Sequence, residues 1–149
     1  EDCRRQRQMC IRDRTKGANF EREIGNLLVE NLQLKNPVKR ILEQTRTKEL
    51  PDLTLGRWCI ECKRYGDGSE PHPEWWAQVL QSSRQAESIP ALVYKFNRKP
   101  IKVRILASVI NNNITDQSVT LDLQWDDFIV ILKTLFQKDI DIHESSVQV

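Results

Sequence analysis

A chain of 149 residues is long enough to bury one hydrophobic core and is expected to form a single domain. No apolar run approaches the roughly 20 residues that a membrane-spanning helix needs, and no secretory leader is visible, so the expectation is a soluble, cytoplasmic protein. The net charge of +2 hides an asymmetry: residues 15–104 hold 16 Lys and Arg against 11 Asp and Glu, whereas residues 105–149 hold 2 against 7, which suits a polyanion bound along one side.

Residues 1–14 lack apolar periodicity and are dense in Arg and Gln. They are expected to be a disordered or artefactual tail, a basic DNA-binding arm being the functional alternative, and residues 15–149 to form the domain. From Gly17 onward, Phe20, Ile24, Leu27, Leu28 and Leu32 recur at helical spacing, with Asn19 as the expected N-cap and Glu21 and Glu23 in the first turn. Asn36-Pro37 closes that region, and Val38 to Gln44 reads as a strand.

The stretch Pro51–Lys63 then offers two short apolar runs around Gly56-Arg57, the pattern of a II′ hairpin whose first turn residue needs positive φ. That register sets Leu55 against Trp58, Thr54 against Cys59, Leu53 against Ile60 and Asp52 against Glu61. Directly opposed carboxylates repel, and a hard divalent cation such as Mg²⁺ removes the repulsion. Alternation puts Cys59, Glu61 and Lys63 on one face and Leu53, Leu55, Trp58, Ile60 and Cys62 on the other. A solvated hairpin face, with Lys63 neutralising one acid, is the plain alternative. The same alternation separates Cys59 from Cys62, so C-x-x-C is not read as half of a zinc site; Cys3, Cys10, His72 and His143 offer no convincing second half.

After a polar loop, Pro73 suits the first position of a helix whose apolar face holds Trp75, Trp76, Val79 and Leu80, with the tryptophans read as core. Ile89–Phe96 and Ile101–Ile110 read as strands joined by a turn at Asn97–Pro100. Lys95, Arg98, Lys99, Lys102 and Arg104 make this hairpin basic, suited to DNA phosphates or simply solvated. Val119–Leu121 could pair as a short strand, and Trp125–Phe136 reads as a helix with Asp126 and Asp127 in its first turn. Residues after Ile142 are expected to fray.

Pro51-Asp52 followed by Glu61-Cys62-Lys63 resembles the signature of the PD-(D/E)xK nuclease superfamily. Lys16-Gly17-Ala18-Asn19-Phe20-Glu21-Arg22-Glu23 resembles the opening helix of archaeal-type Holliday junction resolvases and related phage proteins. The resemblance spans roughly Lys16 to Arg104 and implies a restriction-endonuclease-like α/β fold. Its αβββαβ core would hold a mixed central sheet flanked by helices, here followed by a C-terminal helix.

For the site it implies that Asp52, Glu61, Glu21 and the backbone carbonyl of Cys62 hold Mg²⁺, with Mn²⁺ able to substitute, and that Lys63 positions or activates the attacking water. Gln78 would be the accessory glutamine, Gln85 being a second candidate. Arg40 and Arg46 would contact phosphate, an exposed edge strand being the alternative. Thr47-Lys48-Glu49-Leu50 stands where such relatives often carry glycines. The implied activity is hydrolysis of phosphodiester bonds in four-way junction DNA by a homodimer, leaving 5′-phosphate and 3′-hydroxyl ends. A restriction, repair or genome-processing endonuclease acting on duplex DNA, or a catalytically silent DNA-binding module, are the rival readings.

Overall fold

The structure, a computed structural model, describes the backbone of residues 2–41, 51–85 and 87–146. Helix α1 (Asp2–Leu32) leads to the hairpin β1 (Leu53–Leu55) and β2 (Trp58–Arg64), then α2 (Pro73–Gln85), β3 (Ile89–Lys95), β4 (Lys102–Leu106), β5 (Thr120–Gln124), α3 (Trp125–Leu135) and α4 (Gln137–Ser146). The five strands form one sheet in chain order; β2 and β3 run parallel through the α2 crossover, and every other neighbouring pair is antiparallel. This is a mixed, helix-flanked α/β sheet of the restriction-endonuclease-like kind. Among the described residues no helix is long and apolar enough to cross a membrane.

The two faces follow from strand alternation. Trp58, Ile60 and Cys62 on β2, Ala91 and Val93 on β3, and Val103 and Ile105 on β4 pack against Phe20, Ile24 and Leu28 of α1 and Phe128 and Leu132 of α3. Leu92, Tyr94 and Phe96 turn the other way, under Val79 and Trp76 of α2. Trp58 meets Phe128 and Phe136 edge-on, with centroids 5.4 and 5.0 Å away, so the residue that leaves the hairpin turn also ties down the C-terminal helices.

Several expectations are corrected. α1 begins at Asp2 rather than after Asn19, so Asn19 lies mid-helix; its Oδ1 accepts from Arg22 Nη1 instead of capping. Val38–Ile41 is not a strand: Gly25 lets the Val38 carbonyl approach so closely that a Cβ there would lie 2.6 Å from its oxygen, and residues 42–44 fall outside the described part. β4 stops at Leu106 and continues as a 3₁₀ turn (Ala107–Val109) rather than reaching Ile110. Residues 137–146 form α4 instead of fraying after Ile142, because Asp139, His143 and Glu144 find partners on distant parts of the chain. Trp75 and Trp76 are half-buried rather than core, Trp75 stacking on Tyr65 at 3.8 Å.

α1 ends in a Schellman motif with glutamine in place of the usual glycine. Gln33 takes φ 53°, its N–H reaches the Glu30 carbonyl at 3.4 Å, and Leu34 N–H reaches Val29 O at 2.9 Å. The reversal sends the chain back along α1, with Leu34 and Val38 buried against it. That return path carries Arg40 to the site.

Candidate active site

The hairpin forms in the expected register, Leu55 opposite Trp58, Thr54 opposite Cys59 and Leu53 opposite Ile60. Gly56 takes φ 57° while Arg57 stays out of the left-handed region, the combination a II′ turn requires. The ladder ends at Leu53, so the next residue back is free to use its side chain. Asp52 Oδ2 accepts the Cys62 N–H at 2.8 Å, taking the place a longer β1 would have filled with a carbonyl. The expected opposition of Asp52 and Glu61 thus becomes side-chain contact at the sheet edge rather than a ladder pair.

Three acids meet there. The Asp52 carboxyl group lies beside those of Glu61 of β2 and Glu21 of α1. Burial first, then the Asp52 charge, pushes Glu61 up from 4.5 to about 9, while Lys63 pulls the other way. Glu21 is raised by the same two causes in the same order and restrained by Arg40. Cys59 shares the face of Glu61 but is buried rather than wet, and burial raises its thiol to about 12. Cys62 turns into the core, where burial raises its thiol as well.

Because Glu61 and Glu21 bind protons more tightly folded than unfolded, the cation-free protein is expected to lose stability as pH rises from about 4.5 towards about 9. Below that window both states are protonated and the effect vanishes. Glu61→Gln should flatten the slope, a result readable by urea unfolding at about pH 5 and about pH 9.

Arg40, read from sequence as a DNA contact, has a different partner. Its Nε donates to Glu21 Oε2 at 2.5 Å. Gly25 explains the meeting: it lies one helical turn beyond Glu21 on the same side of α1, and the connector crosses α1 there. Sequence periodicity could mark Gly25 as an interruption of α1, but not what approaches it. Arg46 lies outside the described residues.

Gln78 is exposed on α2, about one turn from Trp75, which stacks on Tyr65. Side-chain contacts are not described for Gln85, and His72 caps α2, accepting the Glu74 N–H at 3.2 Å. In the basic hairpin Arg98 pairs with Asp67, and Arg104 with Asp122 and Glu70. Lys95 donates to the Phe96 carbonyl at 3.5 Å and Lys99 is exposed. Both arginines therefore have acidic partners, the Arg98 pair being exposed to solvent.

As a donor set, three carboxylates suit a hard divalent cation. Among the described residues no group of three or more His, Cys, Asp or Glu is spread as a ready metal cage. The chemistry of the donors fits the ion, whose charge would offset the crowding of the three acids.

The model of a family described as "Phage putative PDDEXK endonuclease" matches residues 12–144. Neither curated proteins nor solved structures yield a match.

Proposed function

We propose, on the premise that this chain belongs to the phage PDDEXK endonuclease family, that it is a Mg²⁺-dependent endonuclease that resolves four-way DNA junctions. The observation that carries the reading is the convergence of Glu21, Asp52 and Glu61 beside Lys63.

Asp52, Glu61 and Glu21 would hold the cation, with the Cys62 carbonyl as a further oxygen. Bound there, Mg²⁺ supplies Lewis-acid stabilisation of phosphate charge and lowers the cost of generating hydroxide. The residues do the rest. Lys63, close enough to Glu61 to draw down its proton affinity, holds the attacking water and shields the charge that builds on the phosphate oxygens. Arg40 spends its Nε on Glu21, and the remaining edge of its guanidinium can take a phosphate oxygen. Lys95 and Lys99 would contact the DNA backbone further out, leaving register to shape rather than base sequence. Gln78, exposed on α2, would orient the water or the phosphate. In-line attack leaves 5′-phosphate and 3′-hydroxyl ends, and two symmetric cuts require two such sites in a homodimer.

The test is cleavage of a synthetic four-way junction beside a linear duplex of the same sequence, with Mg²⁺, with Mn²⁺ and with chelator. Paired symmetric nicks on the junction alone, dependent on the cation, are expected. Equal cutting of the duplex would transfer the activity to general genome processing, and binding without cleavage under every condition would make the protein a silent DNA-binding module.

A further inference from the structure

α4 reaches two separate points of the segment that carries Asp52. Near its start, Asp139 is fully buried against the hairpin turn, accepting from Arg57 N at 2.8 Å, from Nε at 2.9 Å and from Nη2 at 3.0 Å. Near its end, the Glu144 carboxylate accepts the backbone N–H groups of Lys35 at 2.8 Å and Asn36 at 3.1 Å. Asn36 Nδ2 donates to the Glu144 carbonyl at 2.7 Å, and His143 Nε2 lies 3.2 Å from the Asn36 carbonyl. Residues 35 and 57 bracket both Arg40 and Asp52, and Ile41 N–H bonds to the Asp52 carbonyl at 3.1 Å.

None of these α4 groups belongs to the three-acid cluster or contacts it. All of them bind the backbone or the turn on which the acids are mounted. A three-residue edge strand has few ladder bonds with which to hold Asp52 in place. The Cys62 N–H to Asp52 bond is made by a side chain and lasts only while that backbone stays put.

We infer that Glu144 and Asp139 are positioning residues: α4 is a bracket that holds the Asp52 segment at both ends and so sets how well the carboxylates can take a divalent cation. The inference rests on the metal-binding reading above, and its test separates the two. Hydrogen exchange at the Cys62 and Ile41 amides reports the placement of Asp52 without any metal, while calorimetric titration with Mn²⁺ reports the site.

Glu144 is only half-buried, so Glu144→Ala leaves the core intact; Asp139→Asn is the second variant, and Gln137→Ala on the same helix is the control. In Glu144→Ala and Asp139→Asn the two amides should exchange at least about tenfold faster, and Mn²⁺ affinity should fall about tenfold, the scale of losing an outer support of a metal ligand. Gln137→Ala should change neither. Wild-type exchange rates at both amides in folded Glu144→Ala and Asp139→Asn would overturn the inference. Faster exchange in a protein whose wild type takes up no Mn²⁺ would uphold the bracket and defeat the metal reading instead.

Discussion

Replacing Lys63 with alanine is expected to slow cation-dependent DNA cleavage by about 10³-fold with little change in stability or DNA affinity, the scale of losing a positioned group that acts on a proton or on developing charge. Lys63 is half-buried on the face of Glu61 and contributes no packing to either hydrophobic cluster, so its removal leaves the fold alone. It also draws down the proton affinity of Glu61. Without it Glu61 stays protonated to higher pH, and the residual activity should rise more steeply between neutral and alkaline conditions than in wild type. Lys63→Arg should restore little, since a planar, delocalised guanidinium does not replace a compact ammonium at a crowded site. Single-turnover cleavage of a labelled junction across pH checks both points, and a Lys63→Ala protein that cuts within about tenfold of wild type would remove Lys63 from the mechanism.

The largest stability effect is expected at Gly56. Gly56→Ala should destabilise the fold by about 3 kcal/mol or more, from two independent causes. An alanine at φ 57° carries left-handed strain of about 1–2 kcal/mol. Its Cβ would also stand 2.5 Å from the Asp139 carbonyl oxygen and 2.7 Å from Asp139 Cα, both main-chain atoms that cannot rotate away. α4 has to retreat, and in doing so it draws Asp139 off the Arg57 guanidinium and leaves a carboxylate in a dry place. Gly66→Ala is the matched comparison: nothing lies within 4 Å of its added Cβ and its φ is ordinary, so the change should be near neutral. Urea unfolding of the two variants side by side decides it, and a Gly56→Ala loss below about 1 kcal/mol would show that α4 does not press on the turn.

How much of the site was legible depended on the range of the interactions involved. The hairpin register, the core-facing residues of β2 and the start of α2 at Pro73 were all readable, because turn chemistry and side-chain alternation act within a few residues. Glu21 could be named only through the family's opening helix, since an acid near a helix start has an ordinary explanation in the helix dipole. Arg40 was singled out as a phosphate contact, while its partner Glu21 was not foreseen. A guanidinium beside an acidic cluster reads as a phosphate ligand until the path of the connector past Gly25 is known.

α4 was the least visible element, although its residues were in view. Its charged positions look like a solvated end, and nothing local says that Asp139 is buried. Its partners lie 82 and 109 positions away, at Arg57 and Lys35, and no short-range periodicity encodes a contact at that separation. The amino-acid order by itself determined which residues could carry nuclease chemistry and the hairpin that presents two of them. Only the folded chain decided that Arg40 meets Glu21, that Asp52 substitutes for a missing strand residue, and that the C-terminal helix bonds to Lys35, Asn36 and Arg57. Those outcomes depend on how separately formed elements pack, and a pattern spanning a few residues holds no record of that.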